Sequence, residues 1–147
     1  FWYSYHFTYI FALFRFNNMI FEFSLKVYYE DTDSGGVVYY ANYLKFIERA
    51  RTNLIQKLGF TLRELLENYD CLFIVRKVNC DYLQSAKLED NLIVQSRFCE
   101  INNASFNLEQ NILRNEQTIF TSQILMVCVN SKGQPKKIPQ KLKSSFK

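Results

Sequence analysis

The chain has 147 residues, of which 48% are hydrophobic, 17% aromatic and 22% charged. With 2 prolines and 4 glycines, this composition predicts one globular domain with a substantial core, and it excludes a disordered, fibrous or low-complexity protein. Lysine and arginine exceed aspartate and glutamate by 18 to 14, a formal net charge of +4. This mild excess suits an anionic ligand without requiring nucleic acid, so we predict no nucleic-acid partner.

Residues 1–18 differ from the rest of the chain because aromatic side chains dominate them. This segment is shorter than the roughly 20 residues of a membrane span, and it lacks the basic start and the cleavage site of a secretory signal. We interpret 1–18 as an extension of doubtful origin, with an aromatic extension that docks on the domain as the alternative. The domain is then 19–147, starting at Met19, and we predict a cytoplasmic protein without a transmembrane segment.

The four cysteines, Cys71, Cys80, Cys99 and Cys128, are far apart and contain no Cys-x-x-Cys pair. Free cysteine packs as a small hydrophobic residue, so we predict buried thiols in a reducing compartment. A zinc site needs closely spaced ligands, and His6 is the single histidine of the sequence. We therefore predict no metal site.

The first elements of the domain are a strand, a loop and a long helix. Apolar and polar residues alternate over 21–28, which predicts a half-buried strand. The run 30–36 (EDTDSGG) holds three carboxylates and two glycines, so it is predicted to be a loop. Apolar residues then recur every three or four positions over 43–58, which predicts an amphipathic helix that ends at Gly59.

Thr61 and Glu64 have the spacing of a capping box and predict a short second helix. A strand, a long helix and then four strands in a meander favour an α+β domain, in which an antiparallel sheet packs against one helix. The basic residues 135–147 are predicted to end in a loose helical turn. The four strands, separated by short polar turns, are predicted at 72–83, 91–101, 105–113 and 118–129.

The most specific motif is 27–43 (VYYEDTDSGGVVYYANY). With 44–51 (LKFIERAR), 73–77 (FIVRK) and 88–90 (LED), it resembles the 4-hydroxybenzoyl-CoA thioesterase branch of the hot-dog superfamily, and most closely the YbgC-like, Tol-Pal-associated acyl-CoA thioesterases. The resemblance implies a hot-dog fold, a homo-oligomer (dimer or tetramer) and hydrolysis of an acyl thioester of coenzyme A or acyl carrier protein. It implies no cofactor, with coenzyme A entering as part of the substrate.

The same resemblance implies a catalytic Asp33, which attacks the thioester carbonyl or acts as a base on water. A carboxylate ahead of a helix start is stabilised by the helix dipole. The backbone N–H at or beside Tyr40 is implied to bind the thioester oxygen, since a helix start offers unpaired donors suited to an oxyanion hole. Gly35 and Gly36 allow the loop to bring both groups to one carbonyl.

Substrate contacts are predicted at five further residues. Tyr39 and Tyr43 are predicted to form the wall of the substrate pocket, with simple core packing of their rings as the alternative. Arg76, Lys77 and Lys87 are predicted to bind the phosphates of coenzyme A, with ordinary strand-surface charges as the alternative.

Several alternatives stay open. Asp33 could merely cap its turn. A calcium loop is disfavoured because Asn42 stands where the bidentate glutamate belongs. YbgC-like sequences commonly have His in place of Tyr40 and Pro in place of Ser85, which leaves the substrate preference open. A non-catalytic module that binds or scaffolds acyl thioesters is the alternative function.

Overall fold

The computed structural model describes residues 19–146, so the aromatic segment 1–18 and His6 lie outside the described residues. Among residues 19–146, no helix is long and apolar enough to cross a membrane. The regular elements of this part of the chain are five strands, three helices and two 3-10 turns, Tyr29–Asp31 and Ser144–Phe146. The strands are β1 (Phe21–Lys26), β2 (Leu72–Tyr82), β3 (Asn91–Ile101), β4 (Ser105–Arg114) and β5 (Gln117–Val129), and the helices are α1 (Asn42–Lys57), α2 (Leu62–Tyr69) and α3 (Gln140–Lys143).

The five strands form one antiparallel sheet in the order β1-β3-β4-β5-β2. The meander is confirmed for β3, β4 and β5, but it is wrong for β2, which pairs with β5 at the opposite edge of the sheet. Alternation of apolar residues marks a strand without specifying its neighbour. The connection 83–90 therefore crosses from edge strand β2 to β3, the interior strand next to the opposite edge. Within this connection, the Ala86 carbonyl accepts the Val38 N–H at 2.8 Å.

Helix α1 packs against the sheet and forms one core with it. Full burial of an aliphatic or aromatic side chain contributes roughly 2 kcal/mol, and most apolar residues of α1 are buried against the sheet. The α+β hot-dog arrangement, one antiparallel sheet around a long helix, is thereby confirmed. Its fully buried large residues include Phe46, Ile47, Leu54, Leu92, Leu108, Ile112, Phe120 and Ile124.

The predicted helix ends are also confirmed. Helix α1 is followed by Gly59 at a φ of 91°, and the Gly59 N–H donates to the Gln56 carbonyl at 3.0 Å. Helix α2 starts with the expected capping box, because the Thr61 N–H donates to Glu64 Oε2 at 2.8 Å and the Glu64 N–H donates to Thr61 Oγ1 at 3.1 Å. Local side-chain chemistry thus sets both boundaries.

The prediction of four buried cysteines is wrong for two of them. Cys71 and Cys128 are buried, but Cys80 is half-buried and Cys99 is exposed. Cys99 lies where the register between β3 and β4 shifts, and such an irregularity interrupts the inward and outward alternation of a strand. Cys99 lies between the apolar residues Phe98 and Ile101, and their pattern alone did not indicate this interruption.

Candidate active site

Asp33 begins a tight hairpin between β1 and α1. The Asp33 N–H donates to the Val37 carbonyl at 2.9 Å, and the Gly36 N–H donates to the Asp33 carbonyl at 3.1 Å. Outside this turn, Thr32 pairs with Val38 as an antiparallel bridge. Gly36 has a φ of 76°, a conformation that residues with a Cβ adopt at a cost, so glycine is needed at this corner of the hairpin.

The carboxylate of Asp33 is exposed and oriented by one donor. The Gly35 N–H donates to Asp33 Oδ1 at 2.8 Å, whereas Oδ2 has no hydrogen-bond partner among residues 19–146. The sequence predicted this carboxylate just ahead of a helix start, but the donor that holds it belongs to the hairpin, and α1 begins only at Asn42. One oxygen is therefore fixed while the other is open to a ligand.

The hairpin is joined to the start of α1 through the carbonyl of Asp31. This oxygen accepts the Tyr39 N–H and the Asn42 side-chain amide, both at 2.9 Å, and Asp31 and Asn42 are buried. The Asp31 carboxylate accepts the Tyr28 N–H at 2.8 Å, which ties it to the preceding backbone. Residues 19–146 contain no group of three or more His, Cys, Asp or Glu side chains placed to hold a metal ion.

Tyr40 lies in the turn that leads into α1. The Asn42 N–H closes this turn on the Tyr39 carbonyl at 2.9 Å, and the Tyr40 carbonyl accepts the Tyr82 hydroxyl at 3.0 Å. The Tyr40 N–H donates to no atom of the described residues, as is common just ahead of a helix. The structure thus holds the Tyr40 backbone through its carbonyl and leaves its N–H available.

The three predicted tyrosines have different environments. Tyr39 and Tyr40 are exposed, and their rings meet edge to face at a centroid distance of 4.9 Å. Tyr43 is only 3% exposed, and its ring stacks on Phe120 in the core. The Tyr43 hydroxyl accepts the Ala86 N–H at 2.9 Å, and burial raises the pKa of this phenol. Tyr43 therefore positions the connection 83–90 from inside the core.

The predicted phosphate-binding cations fall into two groups. Lys87 lies beside the hairpin, because it forms an antiparallel bridge with Val37. Arg76 and Lys77 lie on edge strand β2, where its register with β5 shifts. At about 3.3 Å per residue, Lys77 is about 16 Å along the strand from Tyr82, the β2 residue that contacts Tyr40. Within one chain, the structure brings only Lys87 of these three cations to the Asp33 hairpin.

Arg114 fixes the segment that carries Lys87. Its Nη1 donates to Asp90 Oδ2 at 2.9 Å and to the Ser85 carbonyl at 2.8 Å. Asp90 Oδ2 also accepts the Lys87 N–H at 2.8 Å. Burial raises the pKa of Asp90, but the hydrogen bonds from Arg114 and Lys87 outweigh burial and lower it below its ordinary value. This ion pair stabilises the connection 83–90 next to the hairpin.

Sequence reasoning missed two residues that position the site, Tyr82 and Asn42. Tyr82 is 42 residues from Tyr40 in the chain, so no local pattern links them. The Asn42 side chain bonds to the Asp31 carbonyl, 11 residues earlier in the chain, so no local pattern indicates its role either.

The helix-on-sheet fold and the Asp33 hairpin define a hot-dog thioesterase, and the chain belongs to the thioesterase-like superfamily, whose family model matches residues 27–146. Over 127 residues it is 41% identical to the acyl-CoA thioesterase YbgC of Haemophilus influenzae, covering 86% of this chain and 93% of that protein. Over 133 residues it is 36% identical to the acyl-CoA thioester hydrolase YbgC of Escherichia coli O157:H7, covering 89% and 98%.

Solved structures agree with this assignment. The crystal structure of a probable thioesterase from Bartonella henselae superposes with a TM-score of 0.80 at 31% identity, covering 82% of this chain and 100% of that chain. The family resemblance carried by the motif at 27–43 is confirmed.

Proposed function

We propose that this chain hydrolyses an acyl-CoA thioester, with Asp33 as the reacting carboxylate and the Tyr40 N–H as the donor to the thioester oxygen. One observation carries the proposal. An exposed carboxylate with one open oxygen and an unpaired backbone N–H belong to a single hydrogen-bonded unit, which the Asp31 carbonyl joins together. The activities named for the YbgC relatives support it.

The chemistry needs these two groups and water. The Tyr40 N–H stabilises the negative charge that develops on the thioester oxygen. Asp33 either attacks the carbonyl carbon, forming an anhydride that water then opens, or removes a proton from the attacking water. Both routes yield a free acid and a thiol, and neither uses a metal or redox cofactor. Coenzyme A enters only as the leaving thiol.

Substrate binding outside the reacting centre is assigned to exposed groups near the hairpin. Lys87, bridged to Val37, is placed to attract the phosphates of coenzyme A. The rings of Tyr39 and Tyr40, which directly follow the hairpin in the chain, are also exposed. Acyl carrier protein carries the same thioester on a protein, so it is the second substrate that this site admits.

We further assign the active protein to a homo-oligomer built on β2. Unlike the other strands, β2 has no regular inward and outward alternation, and Ile74, Val75 and Val78 are 48%, 45% and 36% exposed. A long apolar edge strand is a template for pairing, and a two-fold axis pairs two copies of it antiparallel. The expected unit is a dimer with a continuous sheet, or a tetramer of two such dimers.

Pairing of this kind places a cavity of one protomer beside Asp33 of the other. A cavity of about 180 Å³ lies between α1 and the sheet, with Leu54, Phe73, Val75, Phe106 and Met126 among its walls. Because the β2 strands run antiparallel, Phe73 and Val75 of one copy approach Tyr82 of the other. An apolar cavity of about 150 Å³ holds benzene, so this one suits an acyl group of ring size.

A cytoplasmic location is part of the same proposal. Its support is that all four cysteines are free, including two buried thiols in contact with each other, which fits a reducing compartment.

The experiment is thiol release by the full chain from short, long and aromatic acyl-CoAs and from acyl carrier protein thioesters, with binding measured in parallel by calorimetry. Turnover of at least one thioester supports the proposal. Binding without turnover would instead identify a non-catalytic acyl-thioester module, and neither binding nor turnover would contradict both functions.

A further inference from the structure

Two cysteines that the proposed reaction does not use are in contact inside the protein. The Sγ atoms of Cys71 and Cys128 are 3.1 Å apart, and the residues are 1% and 0% exposed. They are 57 positions apart in the chain and meet because β2 pairs with β5, with Phe73 opposite Cys128. A disulfide bond is about 2.05 Å long, so the two sulfurs need to approach by only about 1 Å.

We propose that Cys71 and Cys128 form a reversible oxidation site, in which a hydroperoxide converts the buried thiol pair into a disulfide. Disulfides that form in reducing compartments are usually transient and redox-sensing, which is the behaviour expected of such a pair. This site is independent of the proposed thioesterase reaction.

The surroundings of the pair favour Cys128 as the first sulfur to react. The two thiols share one hydrogen bond, and this contact lowers the pKa of the Cys128 thiol and raises that of Cys71. The Lys136 ammonium, held by the Tyr69 carbonyl, is close enough to favour a negative charge on either sulfur. The Lys136 N–H also donates to the Cys128 carbonyl at 3.0 Å, which fixes this cation beside the pair.

The chemistry balances with hydrogen peroxide as the oxidant. The Cys128 thiolate attacks one peroxide oxygen and breaks the O–O bond, so Cys128 becomes a sulfenic acid and the other oxygen leaves as water after taking a proton. Cys71 then attacks the Cys128 sulfur, the S–OH bond breaks, and the Cys71 proton leaves with a second water. Two thiols are oxidised to one disulfide and one peroxide is reduced.

Burial limits which oxidants reach the pair. A peroxide is scarcely larger than water, whereas a peptide disulfide such as oxidised glutathione is too large to approach sulfurs that are at most 1% exposed. We therefore expect peroxide to oxidise the pair in the folded protein much faster than oxidised glutathione does. The exposed Cys99 lacks this preference, since both oxidants reach it.

The disulfide links the start of β2 to the end of β5 and closes a loop of 57 residues. Closing a loop of this length restricts the unfolded chain, so the oxidised protein is expected to melt about 10 °C higher. Phe73 and Met126, which line the cavity against α1, flank the bond on both strands. Oxidation thus fixes the wall of that cavity.

The test uses the full chain carrying Cys80→Ser and Cys99→Ser, treated with hydrogen peroxide and analysed by intact mass, peptide mapping and thermal unfolding. We expect a loss of two hydrogen atoms, a cross-linked peptide pair containing Cys71 and Cys128, the higher melting temperature, and reversal of all three by dithiothreitol. The matched control adds Cys71→Ser, which removes the cross-link and the temperature shift. Peptide mapping of the peroxide-treated natural chain gives the same answer if the double variant folds poorly.

Either of two results would overturn the proposal. One is the addition of two or three oxygen atoms to Cys128 while Cys71 stays a free thiol. The other is that both thiols survive peroxide in the folded protein but form a disulfide only after unfolding.

Discussion

The hydroxyl of Tyr82 donates a hydrogen bond to the backbone carbonyl of Tyr40 at 3.0 Å. This bond joins the end of edge strand β2 to the turn ahead of α1, the same turn that carries the unpaired Tyr40 N–H. Burial raises the pKa of Tyr82 to about 12, so the phenol keeps its proton and its donor role across the neutral range. Tyr82 therefore acts as a positioning residue for the oxyanion donor.

Replacing Tyr82 by Phe removes this bond and keeps the ring contacts with Tyr43 and Phe120. We expect kcat for thiol release to fall about tenfold, since a misplaced oxyanion donor costs rate, while unfolding free energy falls by only about 1 kcal/mol. Tyr69→Phe is the matched control, because no hydrogen bond of the Tyr69 hydroxyl is found among residues 19–146. Equal kcat in Tyr82→Phe and the natural chain would contradict the positioning role.

Gly36 lies in the Asp33 hairpin, and Gly133, which follows β5, is a matched control outside it. Both have a φ of 76°, and an added Cβ would meet no atom within 4 Å at either position. Gly→Ala at each is expected to cost about 1 to 2 kcal/mol of unfolding free energy in urea, because of backbone strain alone. Only Gly36→Ala should also reduce thiol release, by tenfold or more. Similar activity in the two variants would show that the hairpin does not position a reacting group.

The Asp90–Arg114 ion pair predicts a pH-dependent contribution to stability. Folding lowers the pKa of Asp90, so the ionised carboxylate stabilises the folded protein at pH values above the ordinary carboxyl pKa. This stabilisation is lost as the pH falls through the lower pKa of the folded state. We expect Asp90→Asn to cost about 1 kcal/mol at pH 7 and clearly less at about pH 3, which lies below the ordinary carboxyl pKa. Urea unfolding of both proteins at the two pH values measures this, and a cost independent of pH would contradict the electrostatic origin.

Val78 tests the proposed β2 interface. Val78→Lys places a charge in the middle of the exposed apolar edge, so we expect light scattering to show a monomer where the natural chain gives a dimer or tetramer. Ile93→Lys is the control, since Ile93 is similarly exposed but lies on β3, an interior strand of the sheet. We also expect thiol release to fall in Val78→Lys alone. A natural chain that is monomeric at all concentrations, yet fully active, would exclude a shared site.

Much of the fold followed from the sequence because its signals are local. The capping box of α2 depends on residues three positions apart, and the end of α1 depends on one glycine. The Asp33 hairpin depends on equally local features, since Gly36 supplies its positive φ and its hydrogen bonds span at most four residues. Such features are fixed by backbone sterics and short-range bonds rather than by the rest of the protein.

The remainder depended on contacts between distant segments. The pairing of β2 with β5 instead of β3 was not visible in alternation alone, and neither was the bond from Tyr82 that follows from it. The burial of Tyr43 was ambiguous for the same reason, because a tyrosine at a helix start suits either a pocket wall or a core. The hydrogen bond from the Ala86 N–H to the Tyr43 hydroxyl, a contact between distant segments, defines the role of this side chain.

The most direct measurement of the central claim is kcat for thiol release by Asp33→Asn on the best substrate of the panel. The amide oxygen of asparagine still accepts the Gly35 N–H, so the hairpin keeps its hydrogen bond while the carboxylate is lost. We predict a fall of about a thousandfold or more, with an unchanged melting temperature, and no change in the control Glu67→Gln on the exposed side of α2. Activity within a few-fold of the natural chain would show that Asp33 only caps its turn and that the catalytic carboxylate lies elsewhere.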